Sequence, residues 1–208
     1  KDRPWITVEG MIDDEDINEY GVKETNTDGS KVVLYTGGLN KAYGIIDLVE
    51  AFGIIDDPSI NLWLCGKGDA EKEVIRASEL DTRIKYFGQV TRSKALDLQH
   101  RANLLINPRN DTSEFTKYSF PSKLMEYMLS GTPVLVYKLP GIPDEYFRHL
   151  FFIEGKGPQA IANSITKILN EPLDAIIKKG EDARRFVLSE KNNIIQTKKI
   201  LDLIHMKK

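Results

Sequence analysis

Phe120–Val136, FPSKLMEYMLSGTPVLV, is the stretch that decides the fold. Pro121 suits the first position of a helix, where its missing N–H costs nothing. Ser122 and Lys123 follow it, Glu126 lies one turn further on, and Ser130-Gly131-Thr132-Pro133 stops the helix before a strand-like apolar run. A helix feeding directly into a buried strand is half of a βαβ unit, and the rest of the chain repeats the pattern.

Outward from this stretch, short apolar runs alternate with helical segments. The runs predict strands at Val32–Thr36, Asn61–Cys65, Ile84–Phe87, Asn103–Asn107, Pro133–Tyr137 and Phe151–Glu154. The intervening periodicity predicts helices at Tyr43–Phe52, Ala70–Glu79, Arg92–Arg101 and Pro121–Leu129, with a short one at Pro143–Arg148. Three more follow, at Gly157–Leu169, Pro172–Ser189 and Ser189–His205. This order implies an α/β, Rossmann-like open parallel sheet with helices on both faces and a ligand crevice beyond the carboxyl ends of the strands. The loops GGLNKAYG, GKGD, GQVT, NPRNDTSEFTKYS and KLPGIPDE all fall on that edge.

Composition narrows the class. The chain has 208 residues, of which 41% are apolar and 29% charged, enough for one substantial core. A net charge of −2 and a pI near 6.0 argue against an extended nucleic-acid surface. The longest apolar run, about Thr132 to Tyr137, is far short of the roughly 20 residues that span a bilayer, and no secretory leader is predicted. The single cysteine, Cys65, reads as a small buried hydrophobe in a reducing compartment. The chain opens without Met and runs from a strand-like piece, Trp5–Val8, into an acidic connector, so it reads as part of something longer.

The chemistry-bearing residues cluster at the predicted crevice. A helix start favours anions through its dipole and backbone donors, and Ser122, Lys123 and Leu124 stand at this one with a hydroxyl and a full positive charge added. Glu126 shares the face of Ser122. A carboxylate beside a phosphate repels it, so its better partner is a vicinal diol such as a ribose; alternatively it is a surface acid paired with Lys123. Gly37, Gly38 and Gly44 allow close backbone approach after the first strand, yet neither the P-loop nor the G-x-G-x-x-G pattern is satisfied. His100, His149 and His205 are scattered without partners at metal or triad spacing, and no zinc set is present. Tyr118, Phe120 and Tyr127 read as packing.

Taken in order, YTGGLNKAYGIIDLVEAF, INLWLCGKGD, RIKYFGQVTRSKALDLQHRANLLINP and YSFPSKLMEYMLSGTPVLV resemble the C-terminal, donor-binding half of retaining family-four glycosyltransferases of the GT-B fold. The likeness is greatest to those of bacterial capsule and exopolysaccharide synthesis. It implies that residues 1–30 end a missing N-terminal domain and its linker. Residues 31–188 would form the nucleotide-sugar domain, and 189–208 a C-terminal helix directed toward the missing domain. By the same resemblance Glu126 holds the ribose hydroxyls, and Ser122, Lys123 and Leu124 donate to the diphosphate. Gly37 and Gly38 face that diphosphate too, while Gln89 and Val90 contact the base.

Three positions depart from the family pattern. Gly38 stands where an Arg is common and Tyr43 where a Lys is common, so Lys41, Lys123 and Arg109 become the compensating cations. Tyr118 occupies the first place of the family's pair of glutamates, of which Glu126 is the second. Tyr118 and Lys123 are thus the candidate catalytic residues, with Glu114 and Asp111 as acids in reach of the same place. The resemblance further implies hexosyl transfer without a cofactor or metal, onto a saccharide or lipid-linked acceptor held by the absent N-terminal domain. The fragment alone would be inactive. The whole protein would be cytoplasmic, with peripheral association at the inner face of the membrane. Two alternatives stay open: a non-catalytic nucleotide-binding or scaffold domain, and a sugar-nucleotide epimerase on the same fold.

Overall fold

The computed structural model describes residues 5–12, 29–111 and 119–205. Six parallel strands form one sheet in the order β3-β2-β1-β4-β5-β6. They are β1 (Lys31–Thr36), β2 (Ile60–Cys65), β3 (Ile84–Tyr86), β4 (Leu104–Asn107), β5 (Val134–Val136) and β6 (Phe151–Phe152). The central strands are covered on both faces: Val32, Val33, Leu34, Leu62, Leu64 and Leu105 are all at most 1% exposed. Continuous apolar runs are what a parallel strand with two buried faces requires.

The helices are α1 (Ile45–Ile54), α2 (Glu71–Leu80), α3 (Arg92–Arg101), α4 (Lys123–Leu129), α5 (Gly157–Leu169), α6 (Leu173–Glu190) and α7 (Asn193–His205). On one face α1 packs on α2 and α5, and on the other α4 packs on α6. Right-handed crossovers that run outward from β1 in one direction and from β4 in the other place α1 and α4 on opposite faces. The chain therefore reverses its winding between β1 and β4, and a crevice opens there at the carboxyl edge.

Several boundaries differ from those predicted. The helix expected from Pro121 begins at Lys123, because the Pro121 carbonyl accepts the Leu124 N–H at 2.8 Å and closes a separate turn first. The helix expected from Tyr43 is two pieces, a 3-10 turn over Lys41–Tyr43 and then α1. Gly44 divides them at φ 77, where a Cβ would lie 2.3 Å from the Pro108 carbonyl oxygen. The segment near Pro143 is a 3-10 helix, Asp144–His149, and the last three predicted strands are each shorter than expected. Trp5 to Val8 forms no strand among the described residues.

Residues 9–12 are fastened to the start of α7. The Ile12 N–H donates to the Lys191 carbonyl, and the Asn193 N–H to the Ile12 carbonyl, each at 2.9 Å. Gln196, fully buried on α7, donates from Nε2 to the Gly10 carbonyl at 2.8 Å. Beneath this bridge the Lys191 side chain is 1% exposed, and its ammonium meets Glu9 at 2.5 Å and also Glu145. The Tyr146 hydroxyl donates to the same Glu9 carboxylate at 2.7 Å. Burial pushes the Glu9 carboxyl up, but the bonds from Lys191 and Tyr146 outweigh it and leave the group below its ordinary 4.5.

Removing the ammonium strands a buried acid, so Lys191→Ala should cost about 3 kcal/mol of unfolding free energy in urea titrations. A carboxyl whose folded value is depressed stabilises above its ordinary value and loses that contribution as pH falls through the folded one. The stability advantage of the parent over Glu9→Gln should accordingly shrink as the pH is lowered below 4.5.

Candidate functional site

The site grows out of the end of β1. Ladder partners between β1 and β4 extend only over Val33↔Leu104 and Leu34↔Leu105, so Thr36 lies beyond them. Tyr127 from α4 fills the gap: its hydroxyl accepts the Thr36 N–H at 2.7 Å and donates to the Thr36 carbonyl at 3.0 Å. Complete burial pushes the Tyr127 phenol far above its ordinary range, so it stays protonated as this double partner.

The floor of the crevice is backbone on backbone. Gly66, just past β2, sits at φ 133, and a Cβ there would lie 1.8 Å from the Gly37 carbonyl oxygen. Only glycine allows that approach. The Gly37 N–H donates to the Cys65 carbonyl at 3.0 Å and the Gly66 N–H to the Gly88 carbonyl at 2.8 Å, so the turns after β1, β2 and β3 are laced into one ledge. Tyr86 ties the ledge down by donating to the Gly66 carbonyl at 2.8 Å.

Two adjoining cavities open on this ledge. The larger, about 480 Å³, runs from Gly37 and Gly38 past Cys65 and Gly66 to Gln89, Val90, Arg92 and Glu126. The smaller, about 220 Å³, lies between Gly38, Tyr43, Asn107, Arg109 and the start of α4 at Ser122 and Lys123. Thr36, Gly37, Gly38 and Lys123 line both. Cys65 borders the larger one, and burial pushes its thiol up to about 11.

Glu126 is the most heavily engaged side chain of the site, and its side chain is 19% exposed. The Lys123 ammonium lies 3.1 and 3.2 Å from its two oxygens. Gln99 Nε2 donates to its Oε1 at 2.6 Å, and the Arg92 guanidinium lies 3.9 Å from Oε2. The sequence posed pairing with Lys123 and a place in the cleft as alternatives; the structure has both.

The structure thus brings together Gly37, Gly38, Gln89, Val90, Arg109, Ser122, Lys123 and Glu126. It does not bring Lys41. Its ammonium pairs with Glu73 at 2.5 Å and its backbone N–H donates to Asp69 at 2.7 Å, which turns the residue onto the start of α2. The Leu124 amide is not available as a donor either, since it already bonds Pro121 and its side chain is buried in the core. Tyr118 and Glu114 lie outside the described residues, as do residues 13–28 of the acidic connector. Asp111 pairs with Lys156 at 3.0 Å. Arg109 is oriented by the Tyr43 ring, 5.2 Å from its guanidinium, and by Ser119 Oγ at 2.9 Å. Among the histidines, His149 stacks on Phe186 at 4.4 Å.

Sequence reasoning missed Arg92, Gln99 and the floor glycine Gly66. The signal for the first two was the spacing: positions 92, 96 and 99 share one face of α3, and Leu96 and Gln99 on it are buried.

Fold and crevice together define a class, the Rossmann-like α/β domain with a ligand crevice where the strand order reverses. The chain belongs to the family of glycosyl transferases group 1, which matches residues 16–191. Among solved structures it is similar to HepE of Anabaena in complex with UDP and glucose. That match has 17% identity over 91% of this chain and 55% of the other, with a TM-score of 0.70. Sucrose-phosphate synthase of Thermosynechococcus elongatus is similar at 19% identity over 91% and 50%, with a TM-score of 0.70. The catalytic domain of cholesterol-alpha-glucosyltransferase from Helicobacter pylori shares 18% identity over 76% of this chain and 98% of that domain, at a TM-score of 0.62. At these identities the likeness is one of fold. The chain spans about half the length of the first two. No curated protein matches it. Among the described residues no helix is long and apolar enough to cross a membrane.

Because Tyr127 serves both backbone groups of Thr36, Tyr127→Phe leaves a buried N–H and carbonyl short of a partner. Urea denaturation should show a loss of about 1 to 3 kcal/mol.

Proposed function

We propose that the chain is the donor-binding, C-terminal half of a hexosyltransferase and holds a nucleoside diphosphate sugar for retaining transfer. The observation that carries the reading is the meeting of the two cavities at Gly37, Gly38 and Lys123. The larger has the size and the backbone-lined end for a nucleoside, with Gln89 and Val90 beside the base and the Glu126 carboxylate at the ribose. The smaller takes the diphosphate and sugar, between the start of α4 and Arg109. HepE, bound to UDP and glucose, lends support through its likeness in fold.

The charges suit this order. In a transition state with oxocarbenium character, negative charge grows on the departing diphosphate. The Lys123 ammonium, the Arg109 guanidinium and the donors at the start of α4 surround the place where that charge develops, and such fixed donors stabilise it without a protein nucleophile. In the free protein Lys123 rests on Glu126. An arriving diphosphate competes for the ammonium, which leaves the carboxylate to the ribose hydroxyls. No metal or other cofactor is given a step.

The acceptor, a saccharide or a lipid-linked one, would bind mainly outside this chain, on an N-terminal domain. Capsular or exopolysaccharide synthesis in the bacterial cytoplasm, with peripheral attachment of the whole protein to the membrane, is the process this reading favours. Its support is the wording of the FPSKLMEYM stretch.

Titration calorimetry with UDP, GDP and their sugars tests the proposal. The chain should bind a nucleoside diphosphate, and Glu126→Ala should weaken that binding by about 1 to 3 kcal/mol. Lys123→Ala should weaken UDP far more than uridine, because it removes the phosphate contact while Glu126 keeps its bond from Gln99. A parent chain that takes up no nucleotide would instead be a scaffold.

A further inference from the structure

We infer that Gln99 is a positioning residue that fixes the Glu126 carboxylate for the ribose, an assignment that rests on the donor-binding function proposed above. Gln99 is fully buried on α3 and lines neither cavity. Its Nε2 donates to Glu126 Oε1 at 2.6 Å and to Thr36 Oγ1 at 3.2 Å. Its own backbone is pinned from the far side, where Thr132 Oγ1 donates to the Gln99 carbonyl at 2.8 Å. Through its side-chain amide and its backbone carbonyl, this one residue joins the last residue of β1, the middle of α4 and the turn before β5.

The other partners of Glu126 are of a different kind. Lys123 and Arg92 reach it from side chains that are 39% and 51% exposed, and both carry many rotamers. A carboxylate held by these two alone would follow them, and a diphosphate that draws Lys123 away would leave it loose. Gln99 is the one buried donor among the three. A hydrogen bond to a charged acceptor from a buried donor is short and strong, and it stays in place when the ammonium leaves. Oε1 is then held from beneath by Gln99, and Glu126 remains oriented to accept from two vicinal hydroxyls. A polar residue in the apolar face of a helix costs stability unless it is bonded. Its bonds here go to Glu126 and to the strand end that carries the glycine ledge.

The test is a set of calorimetric titrations with UDP and with 2′,3′-dideoxy-UDP, which lacks the hydroxyl pair. Gln99→Met keeps the volume and removes the donor. It should bind UDP about tenfold more weakly, yet bind the dideoxy compound within about twofold of the parent. In a Glu126→Ala background it should add no further loss for UDP. Gln99→Glu keeps the shape, sets a second acid against Glu126, and should lose at least as much affinity for UDP while sparing the dideoxy compound. Equal losses on both ligands, or a full loss that persists without Glu126, would make Gln99 merely structural and overturn the inference. Failure of both Gln99 variants to fold would do the same. If the parent binds UDP and Glu126→Ala weakens it while folded Gln99 variants bind as the parent does, this inference alone falls. If the parent binds no UDP, or Glu126→Ala has no effect, the donor-binding reading falls and takes Gln99 with it.

Discussion

At Thr36 a central strand outruns its neighbour, and a phenol takes over. The Tyr127 hydroxyl answers both backbone groups of that residue, where a doubly wound sheet would otherwise leave them buried without a ladder partner. Unpaired buried backbone groups are costly, so β1 and α4 are held in one fixed relation. Everything that lines the crevice hangs from that joint. Gly37 and Gly38 follow Thr36 directly, Lys123 and Glu126 precede Tyr127 on α4, and Gln99 touches both Thr36 and Glu126.

A second constraint is the absence of side chains on the floor. The carbonyl of Gly37 and the backbone of Gly66 approach so closely that no Cβ fits between them. The turns after β1, β2 and β3 are thereby compressed into a ledge of peptide groups, and a flat or charged ligand can approach the backbone itself. Charge enters from above, on Lys123, Arg92 and Arg109. The division of labour is simple: rigid backbone and buried hydrogen bonds set the shape, and long cationic side chains supply a field that adapts to the ligand. The buried contacts of Glu9, Lys191 and Tyr146 hold residues 9–12 against the start of α7, and those residues share a cavity with Arg92, Ser122 and Glu126.

Most of the fold was legible because its determinants are local. Val32–Thr36 and Asn61–Cys65 read as buried strands from unbroken apolar runs, and Gly157–Leu169 matched the observed helix end to end. The misread places have tertiary causes. Gly44 splits a helix because the Pro108 carbonyl leaves no room for a Cβ, which no local pattern reveals. Leu124 read as a phosphate donor, yet its amide had already closed a turn with Pro121. Lys41 was placed in the site by its position in a glycine-rich loop; Asp69 and Glu73 at the start of α2 claim it instead. Gln99 escaped notice because a glutamine on a helix reads as solvent-facing, and its burial appears only when β1 and α4 close over it.

The most direct test of the account is a nitrogen–proton correlation spectrum of the labelled chain recorded during titration with UDP. The account predicts that amide shifts concentrate at Gly37, Gly38, Gly66, Gln89, Lys123 and Glu126, on both sides of the crevice at once. Shifts confined to residues of β6 and α5, or no shifts at all, would contradict it.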